Sequence, residues 1–577
     1  MLAIKNLHIK TSVFLATLFI ILFYGCNTTQ NKRVLVHSSK SADKTNYNIL
    51  FIAVDDLNDW LGFMGKEEMI TPNFDELASR GVSFNKAYCA APLCSPSRAS
   101  VFTGIYPFNS DLYTNSDSIE SRPDLTTIPK YFQQNGYTIL GAGKLFHQTT
   151  DYAKSHFDYL GPDTCVSGGP FVDGEINSRL QNPVHEVNRG PGKLKAILPL
   201  NRMTNDRPYN KYNTFDWGPL DISDDQMQDG KIANWGVEQL KKEYSTPFFL
   251  GLGFFRPHQP LFAPKKYHDL YPPKHVKLPE INENDLDDLS DTGRDFSLLA
   301  GTSGTHKTVL KHNQWQDAVS SYMASITFID TQLGKIIKAL DNSNYADNTF
   351  IVLFSDHGWQ LGEKQHWGKW TGWYRSQRVP LIIVPPKQMN LAGFEAGMKS
   401  QQVVSLIDIF PTLLDLHTNN SKTNLDGKSL IPYLSKATPI DHNRFVTSTF
   451  GLGNSAIIDN DWYYIHYFDG SDELYSLQND PHQFFNLANK PKYKKIREKI
   501  YKTLPEYPEV KHFVRMGRWK AIIFKDKMRK NKLFDIKGQS GIMENNNLID
   551  KRRDVFNDIL LKIKKMKSPK KYINILS

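Results

Sequence analysis

Short, unbroken runs of apolar residues are the main pattern of the chain before residue 440. They lie at 48–54 (NILFIAV), 247–255 (PFFLGLGFF), 349–354 (TFIVLF) and 380–384 (PLIIV). A strand that is buried on both faces shows this pattern, as in parallel sheets. In the stretch 316–340, apolar residues recur three and four positions apart, which predicts a helix. Strands alternating with helices predict an α/β fold with a mostly parallel sheet flanked by helices.

The pattern changes after residue 440. The stretch DWYYI, ELYSL and NL between 461 and 487 is followed by RWK, KLFDI and NL between 518 and 548. The two stretches resemble weak copies of one β-hairpin-plus-helix unit, with two unrelated hairpins as the alternative. We therefore predict a catalytic domain over 47–440 and a smaller C-terminal α+β subdomain over 441–577. Its tail, 551–571, has a basic helical pattern typical of a solvated helix face.

The N-terminus has the pattern of an export signal. Lys5 and Lys10 precede the apolar run 11–24 (TSVFLATLFIILFY), which is too short to span a bilayer comfortably. We predict a signal peptide over 1–25. Gly25 before Cys26 resembles a lipoprotein cleavage site, although Phe23 stands where Leu is usual. Lipidation of Cys26 is predicted, with an ordinary signal peptide and a chance cysteine as the alternative.

An exported, lipid-anchored chain would sit on the periplasmic or cell-surface side of a bacterial envelope. Residues 26–46 then form a polar tether between the membrane and the fold.

Composition excludes several classes of protein. Of the 577 residues, 40% are hydrophobic and 23% charged, which is globular rather than disordered, collagen-like or coiled-coil. The net charge of +10 is concentrated at 511–577, where 19 Lys or Arg and 6 Asp or Glu give +13. No nucleic-acid-binding module accompanies this charge, so we predict no nucleic-acid partner, while a polyanionic substrate stays possible.

The four cysteines are too few for a disulfide scaffold and show no zinc-binding spacing. Cys89 and Cys165 could pair in an oxidising compartment, but we favour two free thiols.

Candidate chemistry is concentrated where predicted strands end. Asp55 and Asp56 follow the first apolar run, and Asp356 and His357 follow the third. The carboxyl ends of strands are where open α/β sheets bind ligands. Carboxylate oxygens suit Ca²⁺ or Mg²⁺, while one imidazole leaves Zn²⁺ open on chemical grounds. Between these positions lies Cys94-Ser95-Pro96-Ser97-Arg98.

With these motifs in place, the chain resembles the type I sulfatases of the alkaline-phosphatase-like superfamily, most closely the iduronate-2-sulfatase group. The resemblance covers about 48–487 and implies an alkaline-phosphatase-like fold. Its motifs, in chain order, are Asp55-Asp56, CSPSR at 94–98, Gly143-Lys144 with His147, Arg256-Pro257-His258, SDHGW at 355–359 with LGE at 361–363, Lys369, LDGKSL at 425–430, and ELY at 473–475 with NDP at 479–481.

The resemblance implies that Cys94 is oxidised to formylglycine (3-oxoalanine) by a formylglycine-generating enzyme that reads Pro96 and Arg98. One hydroxyl of the hydrated aldehyde attacks sulfur, and the other expels sulfate as the aldehyde reforms. The implied metal is Ca²⁺, with Mg²⁺ possible. Its implied ligands are Asp55, Asp56, Asp356, His357 and an oxygen of modified Cys94.

The remaining family roles fall on five residues. Lys144 and Lys369 match sulfate-binding lysines, and Arg98 matches the arginine that positions formylglycine. His147 matches the histidine that holds the hydrated aldehyde, and His258 matches a general acid near the leaving oxygen. Trp359 is a candidate wall of the sugar pocket, with a core position as the alternative.

The resemblance to the family does not by itself identify the substrate. Asp317 lies five residues before Tyr322, where the iduronate group, by resemblance, has a lysine that recognises the sugar carboxylate. An acid there would repel a uronate. We predict a sulfated polysaccharide or its oligosaccharides, with algal polymers such as ulvan or carrageenan favoured over glycosaminoglycans.

Two alternatives differ in class. One is a phosphatase or phosphodiesterase on the same fold, which would use Ser or Thr as nucleophile and usually two zinc ions. The other is a catalytically silent, membrane-anchored carbohydrate-binding protein, which would follow if Cys94 is never converted.

Overall fold

A computed structural model of the chain describes residues 46–147, 150–162, 185–188, 195–198, 200–201, 203, 215–299, 304–416, 424–507, 509–525, 531–536, 547–566 and 568–575. The predictions for the signal peptide, for nearly all of the tether, and for Cys26 and Cys165 lie outside the described residues. Within those residues, Cys89 is buried and free.

The strands are β1 Asn48–Asp55, β2 Val82–Tyr88, β3 Thr138–Gly143, β4 Tyr159–Leu160, β5 His185–Asn188, β6 Lys195–Leu198, β7 Trp217–Leu220, β8 Phe248–Pro257, β9 Leu261–Pro264, β10 Thr349–Ser355, β11 Gln360–Leu361, β12 Trp367–Gly368, β13 Leu381–Val384, β14 Met398–Ser405, β15 Val446–Thr449, β16 Ser455–Ile458, β17 Trp462–His466, β18 Asp472–Ser476, β19 Val510–Met516, β20 Trp519–Phe524, β21 Lys532–Asp535 and β22 Tyr572–Ile575.

The α-helices are α1 Pro72–Arg80, α2 Cys94–Thr103, α3 Pro107–Ser110, α4 Ile128–Gln134, α5 Asp151–Lys154, α6 Gln228–Leu240, α7 Lys265–His268, α8 Asp291–Leu298, α9 His306–Lys311, α10 Trp315–Asp341, α11 Tyr374–Gln377, α12 Ile409–Asp415, α13 Lys494–Tyr501 and α14 Arg553–Lys564. Short 3-10 helices cover Gly62–Met64, Ile119–Ser121, Asp224–Gln226, Pro273–His275, Glu363–Gln365, Leu406–Asp408, Ile431–Leu434 and Pro491–Tyr493. No helix of the described chain has the length and apolar character needed to cross a membrane.

The central sheet has eight strands in the order β14-β2-β13-β10-β1-β8-β3-β4. Strand β13 pairs antiparallel with both of its neighbours, and every other pairing is parallel. The predicted α/β class with a mostly parallel sheet is confirmed. The run at 380–384 is buried like the others, but a buried run carries no information on strand direction, and this strand runs against the rest.

Burial on both faces explains the unbroken apolar runs. Alternate residues of β1 enter different cores, because successive side chains of a strand point to opposite faces. Leu50 and Ile52 pack with residues of α6 and α10, while Ile49 and Phe51 pack with residues of α2, α4 and α12. Helix α10 spans the predicted 316–340 and buries its apolar stripe against this sheet.

The C-terminal region holds two smaller four-stranded sheets, β15-β16-β17-β18 and β21-β20-β19-β22. All described residues lie in one compact unit, Thr45–Ser577, and the domain boundary at 440 stays a prediction. In helix α14 of the basic tail, Phe556, Ile559 and Ile563 are buried, whereas Lys564 is exposed.

The suspected repeat has matching hydrogen bonds in its two halves. Asn486 accepts from the backbone N of Leu474 (3.1 Å), and Asn547 accepts in the same way from Leu533 (2.9 Å). The next residue of each half donates its N–H back to the same leucine, at 2.8 and 2.7 Å. Both halves thus form a hairpin followed by a helix, as predicted, and share an asparagine hydrogen bond that was not predicted.

Candidate active site

Two adjacent strands bring the predicted acidic residues together. Strand β1 pairs with β10 so that Val54 lies opposite Ser355, which places the residues that follow each strand at one edge of the sheet. The backbone N of Asp56 donates to Asp356 Oδ1 (3.3 Å), and Leu57 N donates to Ser355 Oγ (3.0 Å). Asp55, Asp56, Asp356 and His357 therefore converge, and all four are fully buried.

Cys94 begins helix α2, every residue of which is buried. Its Sγ lies 3.5 Å from Asp55 Oδ1, 3.3 Å from His357 Nε2, 3.5 Å from Lys144 Nζ and 2.9 Å from Lys369 Nζ. Burial alone would raise the pKa of the thiol, but Lys144, Lys369 and His357 lower it well below its ordinary value. The site therefore favours negative charge on the side chain at position 94.

Lys144 is positioned by the close approach of two glycines. Gly143 has φ +73°, and a Cβ at Gly253 would lie 2.2 Å from the Lys144 carbonyl oxygen. The backbone N of Lys144 donates to Gly253 O (2.8 Å), and Lys144 Nζ pairs with Asp55. Glycine is required because a side chain cannot fit between these backbones.

Lys369 lies at the end of the segment Gly362–Lys369. Its Nζ contacts Asp56 Oδ1 (2.5 Å). Upstream, Lys364 has φ +54°; its ammonium pairs with Asp285 Oδ1 (2.6 Å) and donates to the carbonyl of Gln483. Between the two lysines, His366 contacts the Lys369 carbonyl (3.0 Å). Buried polar contacts therefore anchor the segment that presents Lys369.

Arg98 lies one turn into α2 and links three parts of the site. Its Nε donates to Asp356 Oδ2 (2.9 Å), its Nη1 donates to the carbonyls of Lys144 and Leu145, and its Nη2 lies 3.4 Å from Asp55 Oδ1. The guanidinium thus holds the first helical turn, the carboxylates and the Lys144 loop in one arrangement.

The two predicted histidines flank this centre. His258 Nε2 lies 4.0 Å from Asp56 Oδ2, and its side chain is 18% exposed. His147 hydrogen-bonds Cys94, and burial lowers its pKa. All six residues predicted to act in catalysis therefore surround one buried point.

The donor set fits a hard divalent cation. Ligand atoms of Asp55, Cys94, Asp356 and His357 lie within 4.8 Å of one another, and so do those of Asp55, Asp56, Cys94 and His258. Among the described residues, Asp56 Oδ2 is buried without a hydrogen-bond partner. A buried, unpartnered carboxylate oxygen beside two other carboxylates is costly unless a cation meets it.

The two predicted pocket residues differ in burial. Trp359 is 1% exposed within the main core, with its ring 5.7 Å from Lys369 Nζ, and its role as a pocket wall stays a prediction. Asp317 is exposed. The hydroxyl of Tyr322 on the same helix donates to Asp56 O (2.8 Å). Residues five apart lie roughly 140° apart around a helix, so Asp317 and Tyr322 lie on different sides of α10. The role of Asp317 in the substrate pocket stays a prediction.

Sequence reasoning missed several supporting residues. Tyr322 also accepts from Asn58 N (3.0 Å), and Ser97 Oγ donates to Asp356 O (2.5 Å). Asp229 of α6 accepts from the backbone N of Phe255 (2.6 Å) and Arg256 (3.1 Å). Ser97 lies inside the CSPSR motif, whereas nothing in the sequence pattern marks Asp229.

Comparison with known proteins agrees with this geometry. The chain matches the family described as Sulfatase over residues 47–418, and that described as N-sulphoglucosamine sulphohydrolase, C-terminal, over 362–510. It is 35% identical over 505 residues to a protein named Sulfatase from Formosa agariphila, covering 86% of this chain and 92% of that relative. It is 30% identical over 413 residues to iduronate 2-sulfatase of Homo sapiens, and the match covers 64% of this chain and 68% of that relative.

Among solved structures, a protein in complex with its substrate D-glucosamine-2-N,6-O-disulfate superposes with a TM-score of 0.60 at 20% identity. The match covers 79% of this chain and 96% of that one, and at this identity it shows the fold. The sequence matches and the shared fold lead to one conclusion: the chain belongs to the sulfatases, the sulfuric ester hydrolases of the alkaline-phosphatase-like superfamily.

Proposed function

We propose that this sulfatase releases sulfate from a sulfated polysaccharide or its oligosaccharides, using formylglycine made from Cys94 and a bound Ca²⁺, with Mg²⁺ as the alternative ion. The observation that carries the proposal is the surroundings of Cys94 Sγ, which has Lys144, Lys369 and His357 within 3.5 Å and buried carboxylates beside it. Cations placed this way would stabilise an anionic oxygen on the modified residue and the charge of a sulfate group.

Each group then has a defined task. Formylglycine would supply a hydroxyl nucleophile that can later release sulfate by returning to the aldehyde. Asp55, Asp56, Asp356 and His357 would hold the cation, which would supply positive charge at the sulfate oxygens.

The remaining steps belong to the chain's own residues. Lys144 and Lys369 would neutralise the sulfate, and His147 would orient the side chain at position 94. His258, whose side chain is 18% exposed, would donate a proton to the leaving oxygen.

The carbohydrate substrate is proposed from relatives. One relative is named for iduronate 2-sulfate chemistry and one solved neighbour was bound to a sulfated glucosamine. Asp317 is exposed and lies on a different side of α10 from Tyr322, and its expected repulsion of a uronate stays a prediction. Ulvan and carrageenan oligosaccharides remain our first substrates to test, with glycosaminoglycan oligosaccharides beside them.

Maturation and export complete the proposal. The CSPSR motif lies in a helix whose residues are all buried, so a formylglycine-generating enzyme would have to act before α2 folds into the core. We propose export through the signal peptide 1–25 and anchoring through lipidated Cys26, which mass spectrometry of the membrane fraction would detect.

The test is sulfate release from the oligosaccharide panel by protein co-expressed with a formylglycine-generating enzyme. Cys94→Ala is the control, and the mass of the peptide that contains residue 94 reports its conversion. Release that disappears in the control supports the proposal. Faster release of phosphate from phosphate esters would favour the phosphatase alternative. A fully converted protein that releases sulfate from no substrate would contradict the proposal, and absent conversion would favour the silent binding protein.

A further inference from the structure

A buried guanidinium holds the turn that carries His258. Arg256 lies near the end of β8, and its side chain is fully buried. Its Nη1 donates to two carbonyl oxygens of the following turn, those of His258 and Pro260 (2.7 Å). One charged group therefore fixes two backbone positions on either side of Gln259.

The backbone of Arg256 is itself anchored. Asp229 of helix α6 accepts from the N–H groups of Phe255 and Arg256, at 2.6 and 3.1 Å. Helix α6 packs on the sheet through its buried face. The turn after β8 is thus connected through Arg256 and Asp229 to a rigid element.

The ring of His258 is oriented by the same turn. Its Nδ1 lies 2.5 Å from the Gln259 carbonyl. A carbonyl oxygen can only accept, so Nδ1 carries a proton. Nε2 is left on the side of the metal-binding carboxylates, 4.0 Å from Asp56 Oδ2. Displacing the carbonyls of residues 258–260 would therefore displace Nε2.

We propose that Arg256 is a positioning residue, which holds the His258–Pro260 turn so that His258 Nε2 can protonate the leaving oxygen. The inference rests on the proposed sulfatase mechanism. In that step the proton moves from Nε2 to the leaving oxygen as the bond from sulfur to that oxygen breaks. The ring keeps its other proton on Nδ1, bound to the Gln259 carbonyl, and recovers the first from solvent.

Leaving-group dependence separates this role from a purely structural one. An activated phenolate leaves without a proton, whereas a basic one requires it. The probes are 4-nitrophenyl, phenyl and 4-methoxyphenyl sulfate, so no natural substrate is needed. We expect Arg256→Met to lose about tenfold more kcat/KM on 4-methoxyphenyl sulfate than on 4-nitrophenyl sulfate, because general acid catalysis contributes about a hundredfold or more.

Four further variants complete the test. His258→Asn should show the same selective loss, and the Arg256→Met/His258→Asn double variant should lose little beyond His258→Asn, because residues acting through one group are not additive. Arg256→Lys keeps the charge and should recover part of the selective loss; it is measured in the same way if Arg256→Met does not fold. Arg515→Met is the matched control, a buried arginine paired with Asp295 of α8, and should change all three substrates equally.

A uniform loss across the three substrates in folded Arg256 variants would overturn the proposal, and so would losses that multiply in the double variant. Absence of leaving-group selectivity in His258→Asn would overturn it as well. Failure of the proposed function itself looks different: converted wild-type protein would then turn over none of the sulfates.

Discussion

Replacing Lys364 with methionine is expected to destabilise the protein by about 3–5 kcal/mol at pH 8, the usual cost of leaving a buried charge without its partner. Lys364 Nζ lies 2.6 Å from Asp285 Oδ1, and the two side chains are 2% and 3% exposed. At that separation an effective dielectric constant of 20 gives an attraction of about 6 kcal/mol, most of which offsets the desolvation of both ions. Methionine removes the attraction and leaves the cost of burying Asp285.

The pH dependence follows from the same pair. Burial raises the pKa of Asp285 to about 6 even though Lys364 lowers it, so the pKa rises further in Lys364→Met. A carboxyl whose pKa is raised on folding contributes stability while it is protonated and loses it as the pH rises through the folded value. The destabilisation should therefore shrink between pH 8 and pH 5.5.

The assay is urea unfolding followed by tryptophan fluorescence, since Trp373 lies 5.9 Å from the ammonium. The double variant Asp285→Asn/Lys364→Met should recover part of the lost stability, because the buried Asp285 charge is removed. Recovery should be incomplete, because the buried Glu473 also loses Lys364, the cation that lowers its pKa. As a matched control, Lys241→Met breaks an exposed pair with Glu238 and should cost about 1 kcal/mol or less. A stable Lys364→Met at pH 8, or a double variant as unstable as the single one, would refute the reasoning.

Three further predictions concern the site and the core. Gly253→Ala should lower kcat/KM for sulfate release by about 10–100-fold, since its Cβ would meet the Lys144 carbonyl at 2.2 Å and displace that residue; an unchanged rate contradicts this. Asp330 accepts from the backbone N of Asn73 and Phe74, and burial raises its pKa to about 6. Wild type should therefore lose about 2 kcal/mol relative to Asp330→Asn between pH 4 and 7. Parallel pH profiles of the free energy of unfolding in urea would contradict this. Dialysis against a chelator should lower Tm, and adding Ca²⁺ at a hundred times its Kd should restore about 3 kcal/mol of stability; calorimetry without any change would rule out the site.

Much of the fold is readable because its strands are buried on both faces. The runs at 48–54 and 349–354 became β1 and β10 with nearly the predicted bounds. The pairing of β1 with β10 could not be predicted from the sequence, since about 300 residues separate the two strands and periodicity carries no information on pairing. The direction of β13 was hidden for a related reason, because burial looks the same in either orientation.

Some residues of the site could be predicted from the sequence and others could not. Residues at strand ends and in motifs were found, because their positions combine strand pattern with recognisable spacing. Buried charges such as Asp229 were not found, since an isolated acid in a helical pattern resembles a surface residue. Asp317 was named from the resemblance alone, and its role in the substrate pocket stays a prediction.

The last described strand has a consequence for how shortened forms of the chain would behave. Strand β22 pairs with β19 along Phe513–Met516, and Tyr572 stacks on Phe513 with ring centroids 5.4 Å apart. Without β22, this edge of β19 would expose unpaired N–H and C=O groups beside apolar side chains. Such an edge is a template for intermolecular strand pairing. A chain cut before Tyr572 would keep every group of the catalytic centre and yet be prone to self-association through its new sheet edge.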